Sequence, residues 1–247
     1  MENISNPHEP FGLYEVSIIT ILATSAGFFG SIQKLSLGYI FHEPHFWCSS
    51  GMPMHDQCQK YENTSTTPCD NWDYDRSEYP ETIVSQFNLV CDERYWIFLS
   101  QSIYIFGYVI GTFGSGIISD KFGRKPTILV SAVLCHLFSS TAAFSSTIVE
   151  FNICRFCIAA SAVSLYIVSF TYCMEIAGTK WKSFVSSLFG VSISIGITLV
   201  PLLSWFFPSW SDLQLFATLP TILIMVHLFI PSFFQRIFEV AFRECNL

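Results

Sequence analysis

Charge is what this sequence has least of. Acidic and basic residues together fill 13% of its 247 positions, where a soluble domain carries about a quarter. A chain this poor in charge cannot cover itself with a solvated surface. No Lys or Arg stands ahead of the first apolar run, only Glu2, Glu9 and Glu15. A cleaved signal peptide needs a basic leading region and a short apolar core, so the first segment is expected to be retained. No basic patch is present, which argues against nucleic acid as a partner. His136 and His227 stand alone inside apolar stretches. Metal-ligand spacing, a nucleophile elbow and a phosphate-binding glycine loop are all missing. The expectation is a protein that is not an enzyme, with no metal and no cofactor.

Apolar residues, by contrast, make up 51% of the chain and aromatics 17%, with 25 Phe. Six apolar stretches approach the roughly 20 residues that cross a bilayer as helix. They run over Val16–Ile40, Trp96–Ser119, Pro126–Phe144, Ile148–Cys173, Ser183–Phe206 and Leu213–Ile230. The first is the most polar, with Thr20, Thr24, Ser25, Ser31, Gln33, Lys34 and Ser36 inside it. The predicted fold class is all-α: a multi-pass membrane protein of six transmembrane helices at residues 16–230, with tails at 1–15 and 231–247. Lys121, Arg124, Lys125, Lys180, Lys182, Arg236 and Arg243 collect on one side of these spans, against Lys60, Arg76 and Arg94 on the other. The excess of positive charge marks the cytosolic side, which predicts cytosolic termini and places the long loop at 41–95 outside.

That loop carries the acidity of the molecule. Between Phe41 and Tyr95 ten acidic residues oppose three basic ones, which accounts for the whole net charge of −7. It also carries Cys48, Cys58, Cys69 and Cys91, an even number in a compartment that permits disulfides. Four cysteines allow three pairings, and the sequence does not choose among them. Asn63-Thr64-Ser65 is a glycosylation sequon, predicted to be used at Asn63. Asn3-Ile4-Ser5 is another, predicted to be cytosolic and unused.

The strongest local signal joins the second and third spans: Gly116-Ile117-Ile118-Ser119-Asp120-Lys121-Phe122-Gly123-Arg124-Lys125-Pro126. Glycines there permit a tight turn and close helix approach, and Pro126 suits the start of a helix. Asp120 can accept hydrogen bonds at a helix end, and the basic cluster anchors the cytosolic face. This stretch resembles the Gly-x-x-x-Asp-Arg/Lys-x-Gly-Arg-Arg/Lys signature of major facilitator transporters, with Gly116, Lys121, Gly123 and Lys125 as its turn residues.

A second stretch narrows the resemblance. Cys69-Asp70-Asn71-Trp72-Asp73-Tyr74-Asp75 leads to Glu81-Thr82-Ile83-Val84-Ser85-Gln86-Phe87-Asn88-Leu89-Val90-Cys91-Asp92. It is similar to the large extracellular loop of the organic cation/anion transporter family. Arg155-Phe156, Tyr166 to Phe170 and Met174-Glu175 continue the likeness along the fourth span, and Glu175 and Lys182 keep the family's spacing of an acid and a base. The family usually has Arg at the second position, and Lys182 cannot make its bidentate contact.

The resemblance implies transport of small organic ions, cations or anions, by alternating access at the plasma membrane. Asp120, Arg124, Glu175 and Lys182 would form a cytosolic charge cluster that holds in one state and releases in another. Static surface ion pairs, worth under about 1 kcal/mol each, are the plainer alternative. Lys34 could line a substrate cavity or snorkel outward. Arg155 is costly in mid-membrane and is read as structural, paired or snorkelling. Tyr104, Tyr108, Tyr166 and Phe170 are candidate cavity aromatics for stacking or cation–π contact. Gly107, Gly111, Ser115 and Ser119 on the second span, and Ser186, Gly190 and Ser194 on the fifth, are spaced for close helix packing. Family members pair two six-helix halves, each a 3+3 inverted repeat, and the likeness covers one half and fades after Pro231. A truncated or fragmentary member is therefore expected, and transport would need a homodimer, a separate second half or a longer form of this chain. A non-transporting half that pairs with and modulates a full-length transporter is the alternative.

Overall fold

Five of the apolar stretches form long helices in the computed structural model, which describes residues 13–49, 58–62, 65–69, 71–77, 81–216, 218, 222 and 226. These are α1 (Leu13–Ile40), α3 (Tyr95–Phe122), α4 (Arg124–Ala143), α5 (Ile148–Ile176) and α6 (Gly178–Phe206), with a short α2 (Ile83–Gln86) in the long loop. The sixth stretch begins as helix at residues 210–216, with helical positions at 218, 222 and 226. The tails at 1–12 and 231–247, and the sequons at Asn3 and Asn63, lie outside the described residues. Among the described residues four helices are long and apolar enough to cross a membrane: residues Cys91–Phe122, Arg124–Ala143, Ile148–Ile176 and Trp181–Phe206. The 28-residue α1 is long enough but is not among the four, in keeping with its polar content.

The helix ends follow local chemistry. Thr147 caps α5, its hydroxyl accepting from the Glu150 N–H at 3.2 Å. Gly123 separates α3 from α4 at φ +95°, a conformation that an L side chain resists. Pro201 sits inside α6, so that helix lacks one backbone donor.

α5 is the central helix, packed by α3, α4 and α1. Gly107, Gly111, Ser115 and Ser119 are all buried, as the spacing predicts. A Cβ on Gly107 would collide with the Phe156 carbonyl, and one on Gly111 with the backbone of Ala160, so these two glycines let α3 lie directly on α5. Gly116 has nothing near it, and close approach is not its role. On α6 the expected stripe is overturned: Ser186, Gly190 and Ser194 are exposed. Two neighbouring positions do the packing instead, with Ser192 against Gly27 and Gly196 against Ser31 of α1. The four-residue spacing of small residues is kept on the face formed by Ser192 and Gly196, which α6 turns toward the equally small Gly27 and Ser31 of α1.

One apolar cluster gathers Ile19, Leu22, Phe29, Ile128, Leu165 and Phe189 toward one end of the bundle. A second gathers Ile40, Phe41, Ile83, Val84, Phe151 and Trp210 under the long loop. The loop is not helical throughout, which amends the all-α expectation. β1 (Phe46–Cys48) pairs antiparallel with β4 (Trp72–Tyr74), and β2 (Gln59–Glu62) with β3 (Ser65–Pro68). Disulfides Cys48–Cys69 and Cys58–Cys91 settle the pairing and interleave the two sheets. Their separations of 21 and 33 residues correspond to roughly 3–4 kcal/mol each in the chain-entropy picture. The loop is fastened to the bundle by the buried Ile83 and Val84 and by Trp210 Nε1, which donates to Gln86 Oε1 at 2.6 Å. Arg94 adds a bidentate contact to Glu43, Nε and Nη2 each 3.0 Å from a carboxylate oxygen.

Candidate functional site: two arginine-centred clusters

At the α3–α4 turn the backbone places Arg124 at the first position of α4, directly after Gly123. Its fork reaches two helices. Nη1 lies 3.1 Å from Asp120 Oδ1 and donates to Ser119 Oγ at 2.6 Å, both on α3. Nη2 donates to Glu175 Oε1 at 3.1 Å, on α5. The Arg124 side chain is 27% exposed, against 70% for Asp120 and 52% for Glu175. This is a half-shielded cation holding two wet carboxylates, an arrangement that adds little static stability and opens at little cost. Lys182, expected as a fourth member, is exposed and makes no ion pair among the described residues. Arg124 takes Glu175 because its planar fork can serve two acceptors at once, whereas an ammonium is a single point charge. Lys121 lies 5.5 Å over the Phe122 ring, and Lys125 is exposed.

The second cluster was missed at sequence level. Arg155 on α5 is fully buried, and its partners are neutral. Nη1 donates to Gln33 Oε1 of α1 at 3.5 Å, and Nη2 to Gln214 Oε1 at 3.3 Å. Gln214 Nε2 in turn donates to Gln33 Oε1 at 3.2 Å and to Ser139 Oγ of α4 at 2.6 Å, while Gln33 Nε2 donates to Ser139 Oγ at 3.0 Å. The Phe151 ring lies 5.0 Å from the guanidinium carbon and adds a cation–π contact. Arg155 therefore neither pairs with an acid nor snorkels. It ties α1, α4, α5 and the helical segment at 210–216 together through amide dipoles. The Nε of Arg155 and both polar atoms of Asn152, one turn earlier, have no hydrogen-bond partner among the described residues. A low-dielectric interior makes such a network costly to leave half-satisfied. The signal available beforehand was a Gln within each of two apolar stretches, which is expensive unless partnered.

The candidate cavity residues divide. Tyr104 is buried. Tyr108 is 40% exposed. Phe170 meets Phe189 of α6 edge-on at 5.1 Å, and Tyr166 meets the same ring at 5.7 Å. Lys34 is exposed on α1, beside the buried Gln33. Tyr104 and Tyr108 thus stand one turn apart on α3, Tyr166 and Phe170 both pack on Phe189, and Lys34 is exposed on α1. Among the described residues no group of three or more His, Cys, Asp or Glu side chains could hold a metal.

A family profile described as sugar (and other) transporter matches residues 38–237. The chain belongs to this transporter family. Among curated relatives, the organic cation transporter protein of Drosophila melanogaster is 29% identical over 216 residues, 81% of this chain and 38% of that protein. Organic cation transporter 1 of Caenorhabditis elegans is 31% identical, over 68% of this chain and 29% of its own length. Solute carrier family 22 member 6-B of Xenopus laevis is 33% identical, over 66% and 30%. The chain spans less than two-fifths of the length of these relatives and matches their N-terminal part. Two solved structures share the fold. The inward-open xylose transporter XylE from E. coli has a TM-score of 0.60 at 14% identity, covering 87% of this chain and 46% of that one. A D-xylose-proton symporter gives 0.63 at 16% identity, over 94% and 52%.

Proposed function

We propose that the chain is the N-terminal six-helix half, a 3+3 inverted repeat, of a transporter that moves small organic ions across the plasma membrane by alternating access. The turn cluster lies on the cytosolic side, with both termini cytosolic and the disulfide-bonded loop outside and glycosylated at Asn63. The observation that carries this reading is the Arg124 fork. It bridges α3 and α5 across a glycine turn with carboxylates exposed enough to release, which is what a reversible latch between rocking helices requires. Tyr104, Tyr108 and Tyr166 supply the aromatic wall against which an organic ion would stack. Substrates come from the likeness to organic cation transporters and solute carrier family 22 members.

Uptake of labelled organic cations and anions tests the reading directly. Cells expressing the 247-residue chain are compared with cells that also express the remaining half of a relative as a separate polypeptide. Uptake above background in either case, lost in Asp120→Asn, is the expected result. Background uptake in both would overturn it and favour the second reading, a non-transporting half that pairs with a full-length transporter. That reading draws on the apolar flank of α3, where Phe113 and Ile117 are each 73% exposed, and on the uncovered small-residue stripe of α6. Co-purification with a tagged full-length relative tests it.

A further inference from the structure

The ends of α1 and α6 nearest the turn cluster leave an apolar hollow of about 220 Å3 between them. Val16, Ile19, Thr20, Trp181, Phe184 and Val185 line it. Its one hydroxyl is already spent, since Thr20 Oγ1 donates to the Val16 carbonyl at 2.8 Å, so the walls offer hydrocarbon only. Trp181 and Phe184 stand edge to face at 6.1 Å and form its rim. Directly beside that rim the character reverses. Lys182 is exposed, with no ion pair or hydrogen bond among the described residues, and Lys180 flanks Trp181 on the other side in sequence. The hollow also sits at the N-terminal end of α6, a 29-residue helix with no side-chain cap on its first N–H groups, and that end is electropositive.

A hydrocarbon-walled hollow, an aromatic at its lip and a cation with no ion pair among the described residues match one ligand chemistry: an acyl chain attached to an anionic headgroup. We infer that the α1–α6 groove binds an anionic phospholipid, with a chain segment against Ile19, Phe184 and Val185 and the headgroup phosphate at Lys182. Tryptophan is favoured at the headgroup level for its amphipathic ring, and basic residues beside an apolar surface select anionic lipid. Lys182, displaced from Glu175 by the Arg124 fork, is then available to the headgroup. The binding does not depend on which solutes are carried, and the site is the same whichever side of the membrane this end faces.

The test uses the 247-residue chain reconstituted in vesicles of zwitterionic phosphatidylcholine. A small fraction of the lipid is chain-brominated phosphatidylglycerol or, in parallel, chain-brominated phosphatidylcholine. Bromine quenches tryptophan on contact, and the difference between the wild-type chain and Trp181→Phe isolates the signal of Trp181. The expected result is Trp181 quenching favouring the anionic lipid by about fivefold, the ratio that one lysine's attraction to an anionic headgroup provides. Lys182→Ala brings the two lipids level, and Lys182→Arg keeps the preference. Equal quenching by both lipids in the wild-type chain overturns the proposal, as does a preference that survives Lys182→Ala. Absence of quenching by either lipid overturns it too, because the groove is then covered by protein, either residues 1–12 or a second copy.

Discussion

Two regions of this bundle are each organised around an arginine, and they solve opposite problems. Arg124 is partly wet and holds two exposed carboxylates across a glycine turn. Arg155 is wholly dry and holds two glutamines and, through them, a serine. An exposed ion pair trades readily with water, so the Arg124 contacts can be made and broken within the reach of thermal energy. A buried guanidinium has no water to return to, and separating it from its amide acceptors strands a charge in low dielectric. The comparison assigns movement to the first cluster and rigidity to the second.

The largest expected effect is at the dry cluster. Gln33→Leu removes the acceptor shared by Arg155 and Gln214 and should cost about 2–4 kcal/mol, read as a lower midpoint of thermal unfolding in detergent. Gln33→Glu sharpens the contrast: it gives Arg155 the acid it lacks, and Ser139 can turn its hydroxyl to donate. It should hold or raise that midpoint. If Gln33→Glu is as harmful as Gln33→Leu, the neutral character of the network is a requirement and not a tolerance.

Next in size is the α3–α5 contact that carries both clusters' helices. Gly111→Val forces a side chain against Ala160 and Val163 and should cost about 1–3 kcal/mol by overpacking, whereas Gly116→Val, with open space around it, should be near neutral in the same unfolding assay. Smaller again is the wet cluster: Arg124→Gln should change stability by at most about 1 kcal/mol while lowering uptake in the complemented transport assay. The smallest effect concerns the loop. Burial pushes the Tyr74 phenol up to about 12, and Tyr74 Oη donates to Asn88 Oδ1 at 3.1 Å. A raised folded-state value favours the protonated form, so its contribution is intact below about pH 10, the ordinary phenol value, and is lost as pH rises through about 12. Ultraviolet titration of wild type against Tyr74→Phe should place that phenolate above the other accessible tyrosines.

What the sequence revealed follows the same division. The turn cluster was legible because its parts lie close together in the chain: Gly123, Arg124 and Asp120 span one turn, and only Glu175 comes from afar. The helix ends were legible because composition changes sharply there, at Phe144–Thr147 and at Gly123. The Arg155 network was not legible, since its partners lie 122 and 59 residues away and Gln33 reaches Ser139 over 106. A single glutamine in an apolar run announces that it needs a partner but not which one. Lys182 failed for a related reason: spacing along the chain put it near Glu175, and a better-shaped competitor on another helix took that acid. The strands of the loop were hidden because segments of three and four residues are too short to show alternation.

Hydrogen exchange of the chain in lipid nanodiscs tests the division between the two arginines most directly. Asp120→Asn should speed exchange at residues 119–126 and leave residues 29–36 and 152–159 as protected as in the wild-type chain. Gln33→Leu should do the reverse. Should Asp120→Asn unprotect both regions together, the bundle opens as one unit, and the assignment of movement to Arg124 and rigidity to Arg155 is wrong.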